Sequence, residues 1–428
     1  MSPAAPQTAL FDVAAGQVSA GPVTEVGTSV ELFTGGGGLA QAMHEVGFRH
    51  LLCNEFASRA CETLLDNKAI KWEPDAPLPK SLHDPWPLIQ GDIRIREVTD
   101  ALRRLTGKVD VVAGGPPCQP FSLGGVHKGD EDERNMFPEL FRVVRETRPR
   151  AIICENVRGL LRPSFKPYFD YIVRELAAPF AKRKGGESWD AHDRRLVKEL
   201  AKKNASPDEY YDVYPMPVNA ADYGVPQTRQ RIIIVAFRKD LNVEWTTPEA
   251  KYSEASLVRD QQDGVYWESV GKKPKPDILA MRARTKFDPE DLRKLPWRTL
   301  RQAIDDLPEP IIGEETDGIA HHVGWPGARI YKGHTPNYLD RPAKTVKAGV
   351  HGVPGGESVL LRDDGTHRYM TVRETARVMT FPDSWELSGP RGEQMRQLGN
   401  AVPVLLGKVF AQAVADALKP TTDSGRTS

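Results

Sequence analysis

Glu31-Leu-Phe-Thr-Gly-Gly-Gly-Gly-Leu-Ala40 decides the fold. Apolar residues lead into it, the glycine run stops the strand they form, and a helix-like pattern opens at Leu39-Ala40 and continues through His44. Gly35, Gly37 and Ala40 fit a G-x-G-x-x-G/A spacing, in which missing side chains let a ligand approach the backbone at the start of a helix. Glu55 stands about 20 positions further on, at the end of the next expected strand, where a carboxylate can accept hydrogen bonds from ribose hydroxyls. Together they suggest an adenosine-containing cofactor. A flexible turn beside a surface glutamate is the plainer alternative, and the spacing does not by itself tell one adenosine cofactor from another.

Working outward, strands are expected at residues 29–33, 51–55, 109–113, 151–155 and 232–237, with helices up to 44, at 58–67 and around 139–146. Strand, helix, strand repeated in this way implies an α/β fold, a doubly wound and mostly parallel sheet covered on both faces. Between 245 and 367 prolines and lone aromatics multiply, and Lys272, Lys273, Lys275, Arg282, Arg284, Lys286, Arg293, Lys294, Arg298 and Arg301 cluster. This stretch is expected to be a second, smaller domain. Helical patterning resumes at 371–379 and 402–418, so the expected division is a loose tail at 1–24, a first domain at 25–244, the second at 245–367, a return to the first at 368–418 and a loose tail at 419–428. The mixed charges of 182–203 suggest a solvated helix pair.

Composition excludes several classes. The chain has 428 residues, 39% hydrophobic and 27% charged, and no run approaches the roughly 18 apolar residues of a membrane span. A transmembrane protein, a coiled coil and a fully disordered chain are ruled out. The start lacks a basic segment followed by an apolar one, so no secretory leader and a cytoplasmic address are expected. The four cysteines, Cys53, Cys61, Cys118 and Cys154, are too few for a disulfide scaffold and lack zinc-knuckle spacing, so reduced thiols and no metal are expected. Lys+Arg and Asp+Glu balance at 58 each, so a nucleic-acid face would have to come from local clustering.

Three further segments can carry chemistry. Gly114-Gly-Pro-Pro-Cys-Gln-Pro-Phe-Ser122 directly follows the strand at 109–113. In an open parallel sheet ligands bind beyond the carboxyl ends of strands, so Cys118 is expected at the mouth of the crevice, held by Pro116, Pro117 and Pro120. An ionised thiol is a strong nucleophile, whereas Cys53, Cys61 and Cys154 read as small buried hydrophobes. Cys154-Glu-Asn-Val157 ends the neighbouring strand, and Glu155 there can protonate or hydrogen-bond a substrate nitrogen if shielded from water. In Gln227-Thr-Arg-Gln-Arg231, Arg229 and Arg231 are expected to point the same way and form a fork for phosphate or a carbonyl oxygen. Asp92, in Gly-Asp-Ile, can hold an adenine amino group.

In this order the segments resemble the cytosine-5 DNA methyltransferases of bacterial restriction-modification systems. Phe33 to Gly38 looks like that family's methyl-donor motif, Gly115-Pro-Pro-Cys-Gln119 its catalytic loop, Glu155-Asn-Val157 its second catalytic motif and Gln227-Thr-Arg-Gln-Arg231 its arginine motif. Asn219-Ala-Ala-Asp-Tyr-Gly-Val-Pro226, Thr371-Val-Arg-Glu-Thr-Ala-Arg377 and Gln397-Leu-Gly-Asn-Ala-Val-Pro403 also match in order. The resemblance covers about 28–240 and 340–415. Glu31 departs from it, standing where the family more often carries Asp. From 245 to 338 only Trp297-Arg-Thr-Leu-Arg-Gln-Ala-Ile304 matches, so the target sequence is not legible there.

The resemblance implies a Rossmann-like fold dependent on S-adenosylmethionine, released as S-adenosylhomocysteine, with no metal. It implies Cys118 attacking carbon 6 of a cytosine flipped from duplex DNA, with Glu155, Arg229 and Arg231 beside the base. By motif position, Phe33, Gly35, Gly37, Glu55, Asp92, Ile93, Pro117, Asn400 and Val402 would hold the donor. Residues 245–367 would read the DNA, and residues 122–135 would close over the base. The expected partners are double-stranded DNA and a cognate restriction endonuclease; the protein is expected to be a monomer with no membrane contact. A dinucleotide dehydrogenase, a DNA-binding regulator without turnover and a transfer-RNA methyltransferase are the alternatives.

Overall fold

The computed structural model describes residues 23–117, 135–202, 206–281, 288–330, 332–348 and 358–419. The main sheet is built from β1 (Gly27–Leu32), β2 (Phe48–Glu55), β3 (Ala69–Lys71), β4 (Trp86–Gln90), β5 (Val111–Gly114), β6 (Ala151–Val157), β7 (Tyr211–Asn219) and β8 (Gln230–Arg238). Their order is β3-β4-β2-β1-β5-β6-β8-β7. Only β8 runs against its neighbours, pairing antiparallel with β6 and β7. The helices in chain order are α1 (Gly38–Val46), α2 (Ser58–Asn67), α3 (Arg96–Arg104), α4 (Phe137–Thr147), α5 (Lys166–Ala177), α6 (Trp189–Leu200), α7 (Glu254–Gln262), α8 (Val265–Ser269), α9 (Pro276–Leu279), α10 (Leu300–Ile304), α11 (Val372–Val378), α12 (Arg391–Asn400) and α13 (Val404–Leu418).

Alternation along the strands divides the core between the two faces of the sheet. Val30, Leu32, Val112, Ile152 and Ile234 pack with Leu102, Phe141 and Ile172 of α3, α4 and α5 on one face. Val111, Ala113, Ile153, Ile233 and Val235 face Leu39 and Met43 of α1 and Leu406, Phe410 and Val414 of α13 on the other. Cys53, Cys61 and Cys154 are buried and form no disulfide among the described residues. By length and composition alone Arg391–Leu418 could cross a membrane, but it is two helices, and buried residues of α13 join the core beneath α1.

Two strand positions escaped sequence reading for a common reason. β4 holds Pro87, and β7 holds Pro215 and Pro217. A proline cannot donate to a ladder, so it argues against a central strand. β7 sits at the sheet edge, where the missing N–H groups cost little. The expected helix pair at 182–203 is one helix, α6, and it is not merely solvated: His192 and Leu196 are fully buried. His192 lies 3.1 Å from the Tyr171 hydroxyl and 2.6 Å from the Ala181 carbonyl oxygen.

The smaller unit carries its own core, in which Leu257, Tyr266, Trp267, Ile278 and Trp297 cluster against Ala221. It contains a two-stranded pair, β9 (Tyr252–Ser253) with β10 (Leu295–Pro296), and a three-stranded sheet of β11 (Asn337–Tyr338), β12 (Val359–Leu361) and β13 (His367–Tyr369). Its limits differ from the uninterrupted 245–367 read from sequence. Trp245 packs on Phe237 and Tyr214, with ring centroids 5.3 and 6.2 Å apart, so the chain leaves the main sheet later. Leu300, Ala303 and Ile304 of α10, with Ala343 and Val346, belong to the core of α11 and α12. Thr371 and Glu374 form a capping box that starts α11.

Candidate active site

The crevice opens at the carboxyl ends of β1, β2, β4, β5 and β6. Phe33 leaves β1 with φ 54°, a conformation a bulky side chain rarely adopts, and Gly35 follows at φ 55°. The N–H of Gly35 donates to Glu55 Oε2 at 2.7 Å, and the N–H of Ala57 donates to Oε1 at 2.7 Å. Glu55 therefore braces the turn from the end of β2. Burial raises its pKa above the ordinary value, opposed by those amide donors. Asn54 Nδ2 donates to the carbonyls of Ile89 and Gly91, both at 3.1 Å, fixing β4 beside β2.

The glycines after Gly35 have a different task. A Cβ on Gly37 would stand 2.6 Å from the Trp385 ring, and one on Gly38 would stand 2.2 Å from the Val402 carbonyl oxygen. The N–H of Gly37 donates to the Thr34 carbonyl at 3.1 Å. Gly37, expected to face a ligand, is also needed for packing, because Trp385 and Leu64 fill the space a side chain would take. Trp385 Nε1 donates to the Gly36 carbonyl at 3.1 Å, which seals the contact. Asn400, at the end of α12, is exposed beside this junction, and Val402 is buried in it.

Asp92 follows β4 as expected, but Arg94 Nε and Nη2 donate to its two carboxylate oxygens at 2.8 and 2.6 Å. The Arg94 bonds lower its pKa to about 2. Ile93 is 3% exposed and packs its side chain into the core, not the crevice. Phe56, which sequence reasoning missed, is 72% exposed directly after Glu55. Its signal was an aromatic residue following the carboxylate that ends a strand.

On the opposite side of the crevice, β5 ends at Gly114, where a Cβ would stand 2.5 Å from the Leu32 carbonyl oxygen. A Cβ on Gly115 would stand 3.4 Å from Glu155 Oε2. Asn156 Nδ2 donates to the Pro116 carbonyl at 2.9 Å, and the Met136 N–H donates to the Pro117 carbonyl at 3.2 Å. The base of the proline loop is thereby tied to the strand that carries Glu155. Cys118 and residues 119–134 lie outside the described residues. So do Arg282, Arg284 and Lys286 of the basic cluster. Asn135, the last residue of the expected closing segment, is buried, and its Nδ2 donates to the Tyr168 hydroxyl.

Glu155 and Arg231 meet across β6 and β8: Arg231 Nε stands 2.7 Å from Glu155 Oε1, with both side chains about nine-tenths buried. Among the described residues Oε1 accepts no directed hydrogen bond, so a buried carboxylate oxygen retains capacity for another donor. Arg229 does not complete the expected fork. Its guanidinium is 1% exposed, donating from Nη1 to the Val346 carbonyl at 2.9 Å and from Nη2 to the Gly399 and Ala401 carbonyls at 2.7 and 2.9 Å. Two residues apart along the chain, the two arginines are engaged by different segments, because Arg229 precedes the strand that orients Arg231.

A sheet wound in this way, with a glycine turn on one side of the crevice and an acid–arginine pair on the other, places the chain among the Rossmann-like methyltransferases. The family profile described as C-5 cytosine-specific DNA methylase matches residues 27–178 and 190–416. The chain belongs to that family and is a DNA cytosine-5 methyltransferase. It is 30% identical over 406 residues to the type II methyltransferase M.Eco47II of Escherichia coli, covering 91% of this chain and 79% of that one. It is 29% identical over 404 residues to the type II methyltransferase M.NgoMIV of Neisseria gonorrhoeae, covering 92% and 98%. Among solved structures, a DNA modification methyltransferase encoded within an E. coli prophage superposes with TM-score 0.53 at 18% identity, covering 92% of this chain and 99% of that one. Spodoptera frugiperda DNMT2 superposes at 0.50 with 16% identity, covering 91% and 99%. These two likenesses concern the fold.

Proposed function

We propose that the thiolate of Cys118 adds to carbon 6 of a flipped-out cytosine, with Glu155 and Arg231 holding the base, and that the glycine-turn side of the crevice holds S-adenosylmethionine. Carbon 5 lies within an aromatic ring and is a poor nucleophile. Forming the sulfur–carbon 6 bond breaks the aromaticity and moves electron density to carbon 5 and ring nitrogen 3. The carboxyl of Glu155, carrying or sharing a proton, offsets charge at that nitrogen, while Arg231 offsets charge at the base carbonyl. S-adenosylmethionine, when bound, supplies an electrophilic methyl group and leaves as S-adenosylhomocysteine. After methylation a water molecule takes the carbon 5 proton, and the electron pair left behind re-forms the carbon 5–carbon 6 double bond as the sulfur–carbon 6 bond breaks and the Cys118 thiolate leaves. The target atom is inaccessible in a stacked duplex, hence the flipping.

The observation that carries this reading is the buried Glu155 Oε1, close to Arg231 yet without a directed donor among the described residues, beside a proline loop that Asn156 ties down. A base amino group or protonated ring nitrogen is the type of donor it lacks. The donor side suits an adenosine-bearing group. Gly35 has a positive φ, and a Cβ there would meet the Phe33 carbonyl oxygen at 3.9 Å, ordinary packing distance, with no closer neighbour among the described residues. Phe33 and the exposed Phe56 offer rings, and Glu55 stands braced beside them. Asn400 and Val402 would close the pocket from the C-terminal segment, and Pro117 would line its far side. Nothing in this chemistry calls for a metal.

The smaller unit would read the duplex, its lysines and arginines supplying phosphate contacts and salt-dependent affinity. We take the protein to act as a monomer in the bacterial cytoplasm, as the modification arm beside an endonuclease of the same specificity, in keeping with type II relatives. The test is covalent capture. Plasmid DNA amplified with 5-fluoro-dCTP, given the donor, should become bonded to the wild-type chain and remain so in denaturant, because fluorine at carbon 5 blocks release. Cys118→Ala should capture none. Wild-type protein that methylates ordinary plasmid DNA yet captures no fluorinated DNA would overturn the covalent step. Bisulfite sequencing of host DNA would identify the target.

A further inference from the structure

Arg229 is a buried cation without an ion pair among the described residues. Among the described residues its Nε has no hydrogen-bond partner, and burial is the main cause lowering its pKa. A charge buried on these terms costs stability, and an apolar side chain of similar volume would avoid that cost. What the guanidinium does is join segments. Nη1 donates to the carbonyl of Val346, in the connection that follows β11, and Nη2 donates to those of Gly399 and Ala401, on the segment abutting the glycine turn.

The neighbours of Arg229 reinforce the same splice. Gln227 Oε1 accepts from the Val346 N–H at 3.0 Å, so Val346 is held at both its amide and its carbonyl. The Thr228 N–H donates to the Ala343 carbonyl at 2.8 Å, Thr345 Oγ1 donates to the Thr228 carbonyl at 2.7 Å, and the Ala343 N–H donates to the Pro226 carbonyl at 2.9 Å. Gly399 completes it: a Cβ there would stand 2.4 Å from the Ala348 nitrogen and 2.5 Å from the Lys347 carbonyl carbon. Beyond Gly399 lies Val402, whose carbonyl meets Gly38. A run of contacts therefore leads from the connection that follows β11, through the Arg229 guanidinium, to the glycine turn.

We propose that Arg229 is a positioning residue that sets the wall of the donor pocket and the connection following β11 in one fixed relation to Arg231 and Glu155. It touches neither the base nor the donor. One planar group with several donors can satisfy three carbonyls that an ammonium cannot reach together. The proposal rests on the donor reading of the glycine turn given above.

The test uses the full-length protein, tritiated S-adenosylmethionine, S-adenosylhomocysteine as the binding probe and unmethylated genomic DNA as acceptor. For Arg229→Lys, both the Kd of S-adenosylhomocysteine and the KM for DNA should rise at least tenfold, while kcat at saturation falls less than threefold. Gly399→Ala approaches the same junction from the other side without altering residues 226–231 and should give the same split. It also keeps the test decisive if Arg229→Lys fails to fold. A fall in kcat alone would show Arg229 acting on the base and overturn the proposal. A lower melting temperature with both binding constants unchanged would reduce it to a structural arginine and also overturn it. If the wild-type protein bound no S-adenosylhomocysteine and methylated no DNA, the donor reading itself would fall instead.

Discussion

Arg231 Nε lies 2.7 Å from Glu155 Oε1, diagonally across an antiparallel pair in which Arg231 stands opposite Val157 and Glu155 opposite Ile233. The reversal of β8 creates this contact. In a parallel strand the start of β8 would lie at the far end of the sheet from the end of β6; running backward, it delivers its first residues to the crevice. The arginine stands against the carboxylate, and under the proposed mechanism Oε1 takes a donor from the base.

Glu155→Gln keeps the shape but cannot supply a proton of the same acidity. Methyl transfer should fall about hundredfold or more, in keeping with loss of a general acid, while DNA binding in a gel-shift assay stays within a few-fold. Transfer at the wild-type rate would remove Glu155 from the mechanism.

Asn156→Ala leaves the buried Pro116 carbonyl without its donor. Stability should fall by about 1–3 kcal/mol. If the bond also aims the loop of Cys118, single-turnover methyl transfer should slow by more than the loss of folded protein explains. Stopped turnover assays beside a denaturation curve separate the two effects.

Gly37→Ala places a methyl group 2.6 Å from Trp385 at φ 91°. Overpacking of about 1–3 kcal/mol adds to roughly 1 kcal/mol of backbone strain. Combining it with Trp385→Leu should recover part of the loss by making room. Additive losses in urea denaturation would show that Trp385 is not what Gly37 accommodates.

Glu31 is fully buried behind the glycine turn, and burial pushes its carboxyl up to about 8 from 4.5. Between those values the native state holds a proton that the unfolded state has released, so this group makes stability fall as pH rises and level off above about 8. His44 and His50 work oppositely: burial lowers them to about 4 and about 3. They make stability rise with pH only up to their unfolded value of 6.5. Between pH 6.5 and 8 the histidines no longer compensate, and urea midpoints should decline. In Glu31→Gln that decline should be smaller by about 1 kcal/mol per pH unit; an identical slope would mean Glu31 is ionised in the fold.

The sequence by itself determined the parts that are short and local. A glycine run after an apolar strand, prolines around a cysteine and a carboxylate at a strand end each carry their meaning within about ten residues, because backbone freedom and side-chain chemistry are set there. The alternation of strand and helix then implied the wound sheet and the side on which the site opens. The edge strand β7 was hidden by Pro215 and Pro217, whose acceptability depends on which neighbour is missing. Only the tertiary structure decided that Arg229 turns away from Arg231, since the carbonyls of Val346, Gly399 and Ala401 that claim it come from distant segments. It likewise decided that Gly37 makes room for Trp385 and that Asp92 is already paired with Arg94. A side chain's identity is written in the chain, but the groups that compete for it are assembled by folding.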